Sequence, residues 1–173
     1  MIPVANHHVL IIEKNLCYGC DTCEVACKQE HMLPAGLGFI KVVQKGPERV
    51  GGKLRTEYKP SMCMHCEKPP CIEVCATDAI QKRQDGIVLI DEKKCNGCKL
   101  CIDACPLKAI EFSDERNLAV KCNLCVDRID AGLSPSCVHH CPTEAIKLNP
   151  SRYRIPQKAL EELKKSTRLN LTP

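Results

Sequence analysis

Large aromatic side chains are scarce in this 173-residue chain, which has no Trp, two Phe and three Tyr. The usual bulk of a hydrophobic core is therefore missing. A chain long enough for one domain or two small ones then needs another source of cohesion. Targeting signals are lacking too. No basic segment precedes the short apolar stretch at residues 9–12, and no twin arginine stands before the first cysteine. No run approaches the roughly 20 apolar residues of a membrane span. These absences predict a reducing, cytoplasmic setting without direct membrane insertion. Catalytic signatures are also absent: there is no Gly-x-Gly-x-x-Gly, no P-loop and no His-Glu-x-x-His. The chain is expected to be non-catalytic.

What the chain has instead is sixteen cysteines. Such a density signals either a disulfide scaffold or a metal protein. A disulfide scaffold predicts an export signal and dispersed cysteines, and these cysteines fall into four groups of four. The groups are Cys17, Cys20, Cys23, Cys27; Cys63, Cys66, Cys71, Cys75; Cys95, Cys98, Cys101, Cys105; and Cys122, Cys125, Cys137, Cys141. The first and third have the C-x2-C-x2-C-x3-C spacing of bacterial ferredoxins. The second and fourth widen one and the same gap, as a repeated unit with insertions does. Pro106 and Pro142 follow the last cysteine of groups three and four, as in that pattern; Lys28 and Ala76 stand there in the other two.

Three cysteines two residues apart on a tight loop can point at three corners of an iron–sulfur cube, with loop N–H groups facing its sulfides. The fourth cysteine opens the following helix and reaches a neighbouring cube. Zinc prefers two separated ligand pairs, so the spacing predicts four 4Fe–4S clusters. Cross-ligation assigns Cys17, Cys20, Cys23 and Cys141 to cluster 1, and Cys63, Cys66, Cys71 and Cys105 to cluster 2. Cluster 3 would take Cys95, Cys98, Cys101 and Cys75, and cluster 4 would take Cys122, Cys125, Cys137 and Cys27. With about −2 on each loaded site, the formal charge of +4 becomes about −4, and nucleic-acid binding is not expected.

The predicted fold is α+β: two ferredoxin-like modules of short strands and helices, one inserted in the other. The phrase Ala-Ile recurs at Ala79-Ile80, Ala109-Ile110 and Ala145-Ile146, each shortly after a fourth cysteine. Residues 1–32 with 113–150 form the expected outer module (clusters 1 and 4), and residues 61–112 the inner one (clusters 2 and 3). The turn Asp85-Gly86 before a β-branched run predicts a hairpin. Residues 33–60 read as an inserted hairpin, with 39–43 pairing with 53–58 around Gly51-Gly52. Residues 151–173 form a tail with a helix from Pro156.

The four quartets in this order resemble the four-cluster iron–sulfur subunits of the dimethyl sulfoxide reductase family. So do the segments Cys63-Met64-His65-Cys66-Glu67-Lys68-Pro69-Pro70-Cys71 and Lys121-Cys122-Asn123-Leu124-Cys125-Val126-Asp127-Arg128, with the later Gly132, Pro135 and Cys141-Pro142. Similar subunits accompany tungsten aldehyde oxidoreductases and benzoyl-CoA reductases. The resemblance covers residues 9–148. It implies an electron-transfer subunit that docks on a large molybdenum or tungsten pterin catalytic subunit and passes electrons to a flavin or other redox subunit or carrier. The chain's short length favours the tungsten type, and self-association through head-to-tail contacts is compatible with it. The competing readings are a free polyferredoxin, a zinc-stabilised interaction module and a redox sensor with a labile cluster.

Other residues carry weaker expectations. His65, His139 and His140 lie between ligands and read as loop packing or surface, with hydrogen bonding to cluster sulfides as the functional alternative. Met62 and Met64 are expected to pack, Lys121 and Arg128 to lie at the surface or an interface, and Pro69-Pro70 to stiffen the widened gap. His7, His8 and His31 carry no signal.

Overall fold

The computed structural model describes residues 8–149; the expected tail helix from Pro156 lies outside them. The elements are short. Strand β1 (Leu10–Ile12) leads to the first cysteine loop and α1 (Thr22–His31). A long hairpin of β2 (Ile40–Val50) and β3 (Lys53–Met62) delivers the chain to Cys63. Helix α2 (Pro70–Glu73), hairpin β4 (Ile80–Lys82) and β5 (Val88–Ile90), and α3 (Leu100–Ala104) follow. Then come hairpin β6 (Ile110–Ser113) and β7 (Leu118–Lys121), α4 (Val126–Asp130), α5 (Ser136–His139) and β8 (Ile146–Leu148). It is a small mixed α/β structure of ferredoxin-like elements.

Among the described residues there are four sheets, each of two strands. Strand β1 pairs antiparallel with β8, Ile11 opposite Lys147, so the two ends of the described chain close on each other. The Asp85-Gly86 turn joins β4 to β5 with Lys82 opposite Val88. Strand β7 pairs with β6, Phe112 opposite Ala119, so this hairpin straddles the expected module boundary at 112/113.

The β2–β3 register differs from the expected one. Because the Gly51-Gly52 turn sets Val50 opposite Lys53, pairing outward brings Ile40 opposite Met62 and Val43 opposite Lys59. Residues 40–43 thus face 59–62, not 53–58, Phe39 lies just before the ladder, and the strands are correspondingly longer, with a bulge between Lys45 and Glu48.

The recurring Ala-Ile phrase has a structural cause. Three residues after the last cysteine, Asp78, Lys108 and Glu144 adopt positive φ (52°, 48° and 54°). Each donates its N–H back to the carbonyl of Cys75, Cys105 or Cys141 at 3.1–3.2 Å. That turn launches β4, β6 and β8, whose first residues Ile80, Ile110 and Ile146 are buried. Two-stranded sheets of this length are marginal alone. Among the described residues, seven of the twenty-four buried hydrophobic side chains are cysteines, so the interior depends on whatever joins the thiols.

Candidate functional site

All sixteen cysteines are free thiols, and the backbone presents them in four like loops. The residue just before the second cysteine has positive φ every time: Gly19 (76°), His65 (47°), Gly97 (72°) and Leu124 (58°). Such a left-handed residue turns consecutive N–H groups inward, forming an anion-binding concavity; in the fourth loop Cys125 is left-handed as well (48°). His65 and Leu124 hold that conformation without glycine's freedom, at roughly 1–2 kcal/mol, and both are locked by burial. At Gly97 a Cβ would meet the Asn117 carbonyl oxygen at 2.7 Å, and at Gly19 the Tyr58 ring at 2.5 Å.

Each loop meets a fourth thiol from elsewhere in the sequence. Cys17, Cys20, Cys23 and Cys141 line one cavity. Cys63, Cys66, Cys71 and Cys105 line another, and Cys75, Cys95, Cys98 and Cys101 a third. Cys27, Cys122, Cys125 and Cys137 lie close enough to raise one another's thiol pKa. Cys23 and Cys27 lie four apart on α1, one helical turn from each other, and Cys23 lines the Cys17 cavity while Cys27 lies beside Cys122 and Cys125. Among the described residues, no three His, Cys, Asp or Glu side chains converge as the ligands of one metal ion.

The groups follow one another in space. α1 joins the Cys17 group to the Cys122 group. The Cys63 thiol bears electrostatically on Cys122, joining the Cys122 group to the Cys63 group. Cys71 bears on Cys101, and α2 and α3, which pack together, join the Cys63 group to the Cys95 group. Exposure follows this order. Cys20 and Cys98, in the two end groups, are solvent-exposed, whereas all four thiols around Cys122 are buried.

Burial shapes the thiol chemistry. It pushes Cys23, Cys27 and Cys122 up to about 12 and Cys137 well above the ordinary thiol range. These thiols ionise only when a cation replaces the proton. Exposed Cys20 behaves oppositely, pulled down by a hydrogen bond from the Thr22 side chain.

The residues around the thiols are more engaged than their sequence context implies. His65 is buried; its Nδ1 accepts from the Val88 N–H at 3.0 Å, while Nε2 is buried without a partner among the described residues. Burial, then Lys121 and Lys82, hold its imidazole neutral, down to about 3, so Nε2 carries the hydrogen. Lys121 is not at the surface. It is 5% exposed, donating Nζ to the carbonyls of Val88 (2.5 Å) and Cys122 (2.7 Å), and it favours the thiolates of Cys71 and Cys122. It is a cation at the junction of two groups.

His31, which carries no sequence signal, places Nε2 3.4 Å from the Cys125 sulfur, which also accepts the Ser136 N–H at 3.5 Å. His139 and His140 are exposed. Arg128 is partly buried, donating to the Ser134 carbonyl and pairing with Glu30 at 3.2 Å. Met62 is buried, Met64 lines the Cys63 cavity, and Pro70 is the first residue of α2.

Residues 54–151 match the family model of a 4Fe–4S dicluster domain. The thiosulfate reductase electron transfer subunit of Salmonella typhi is 38% identical over 149 residues, 85% of this chain and 78% of that one. A tetrathionate reductase subunit of Salmonella typhimurium is 39% identical over 137 residues, which span 79% of this chain and only 55% of that one. One polypeptide of the anaerobic dimethyl sulfoxide reductase of Escherichia coli is 35% identical over 150 residues, covering 80% of this chain and 71% of that one. Among the described residues no helix is long and apolar enough to cross a membrane.

Proposed function

This protein belongs to the iron–sulfur subunits of the molybdenum-pterin oxidoreductases, with their 4Fe–4S dicluster domain, and from that premise we propose that it is a four-cluster electron relay. It would serve a large molybdenum-pterin catalytic subunit, with a second redox subunit or carrier at its other end. The carrying observation is the linear order of four thiol groups with an exposed cysteine at each end, Cys20 and Cys98. A docked catalytic site and an external acceptor can meet at such ends.

The donor sets fit 4Fe–4S clusters. Four thiols line each of three cavities without converging on one point as ligands of a single ion, as a cube's separate corners require, whereas zinc draws four sulfurs to about 2.3 Å from one centre. The partnerless His65 Nε2–H is a donor for which a cluster sulfide is the natural acceptor. When bound, each cluster supplies one-electron exchange with little rearrangement. The ligand sets would be Cys17, Cys20, Cys23 with Cys141; Cys63, Cys66, Cys71 with Cys105; Cys95, Cys98, Cys101 with Cys75; and Cys122, Cys125, Cys137 with Cys27.

The remaining residues set the environment. Lys121 neutralises charge between the two inner groups, and the buried surroundings of Cys122 exclude water. Pairing of β1 with β8 around the intervening segment supports one ferredoxin-like module inserted in another. The relatives named above give no support to the narrower tungsten aldehyde oxidoreductase partner.

Purification from native cells tests the reading. About sixteen iron and sixteen sulfide per chain, in a complex with a pterin subunit, are expected. A colourless, zinc-bearing or solitary monomer overturns it.

A further inference from the structure

We propose that the outward face of the β2–β3 ribbon is a docking arm for an acidic protein surface on the redox partner that meets the chain at Cys20. The proposal rests on the relay reading above.

From Lys45 to Arg55 every ribbon residue is exposed, so this part packs against nothing in the described structure. The register gives one face Lys41, Val43, Lys45, Glu48, Val50, Lys53, Arg55, Glu57 and Lys59. Residues 40–62 hold six Lys or Arg against two Glu, a local excess of positive charge. The two carboxylates pair inside the ribbon, Glu48 with Lys45 at 3.7 Å and Glu57 with Arg55 at 3.3 Å. Lys53 and Lys59 make no ion pair among the described residues. Val43 and Val50, each 53% exposed, add apolar contact on the same face.

The root of the arm is fixed to the cysteine groups. Glu24 of α1 accepts the Val42 N–H, and Glu111 of β6 accepts the Gly38 N–H at 2.8 Å and pairs with Lys41. Tyr58 lays its ring against Gly19, next to Cys20. A partner held on the ribbon is therefore held beside the exposed end of the Cys17 group.

Charge selects the occupant. The described residues outside the ribbon carry an excess of acidic over basic side chains, and loaded clusters add about −2 per site, so among the described residues the ribbon is the cationic surface that attracts an acidic partner. A bilayer suits the ribbon poorly, since residues 45–57 contain no aromatic side chain to sit at the interface.

The test is zero-length carbodiimide coupling of the native complex, which joins an amine to a touching carboxylate. Peptide mass spectrometry should find Lys53 or Lys59 joined to an Asp or Glu of another subunit. These lysines joined only to a second copy, or unlinked while other sites couple, overturn the arm. The double variant Lys53→Glu/Lys59→Glu should bind the isolated partner subunit about tenfold more weakly with its iron content unchanged, and Lys53→Arg/Lys59→Arg should bind normally. Equal partner binding by the Glu variant, or its loss of binding only to phosphatidylglycerol vesicles, also overturns the arm. A chain that elutes alone from native cells sinks the subunit reading itself, whereas an intact complex with unlinked ribbon lysines sinks the arm alone.

Discussion

His31 and Cys125 stand ninety-four residues apart in sequence, and their side chains meet at 3.4 Å, imidazole Nε2 to sulfur. Burial lowers the pKa of His31 and favours the neutral ring, and a cluster-bound thiolate can only accept, so Nε2–H is the donor. A hydrogen bond to a ligand sulfur stabilises the more negative, reduced state and raises the potential. His31→Leu should therefore lower the midpoint of the Cys122-group cluster by tens of millivolts, on the order of 60 mV, in an EPR-monitored redox titration. An unchanged midpoint would show that the contact has no electronic role.

Exchange of the fourth ligand makes a sharper forecast. Cys27→Ser should alter the same EPR signal as Cys125→Ser and leave intact the signal lost in Cys20→Ser. Coincidence of the Cys27 and Cys20 phenotypes would refute the assignment.

Lys121 places a buried positive charge between the Cys63 and Cys122 groups. Lys121→Met keeps most of the volume and removes the charge, so both flanking clusters should become harder to reduce. The shift expected is again on the order of 60 mV, equal to about 1.4 kcal/mol per electron. The end clusters, farther away, should move less. A uniform shift of all four, or none, would contradict this placement.

Gly97→Ala combines positive φ with a carbonyl oxygen 2.7 Å from the new Cβ. It should cost more than the roughly 1–2 kcal/mol of the φ alone and preferentially lose the cluster at Cys95. Gly51→Ala has positive φ but nothing within 4 Å, so its effect on thermal midpoint should be smaller. Equal losses for the two would remove the steric part of the argument.

The cysteine loops are legible in the sequence because their signal is local: spacing sets which thiols share a loop, and the Ala-Ile phrases mark the turn and strand that follow. Partners distant in sequence are not legible. Nothing around His31 announces a contact with Cys125. Lys121 reads as a surface lysine until Val88 of β5 and Cys122, just past β7, are seen to supply the carbonyls that hold it inside. The ribbon register escapes for a different reason. The Gly51-Gly52 turn is evident, but counting outward from a two-residue turn places 39–43 beyond the expected partners. The left-handed residue shared by the four loops is visible as glycine at Gly19 and Gly97 and hidden at His65 and Leu124, where burial compensates for the strain.

Cys20 and Cys98 break the surface while the Cys122 group stays enclosed, which makes the molecule resemble an insulated cable stripped only at its tips. Dioxygen and other small oxidants in solution can siphon charge from the two tips but not from the middle. Damage in air should then begin at the extremities and move inward, and a bound subunit covering either tip would act as a seal as well as a contact.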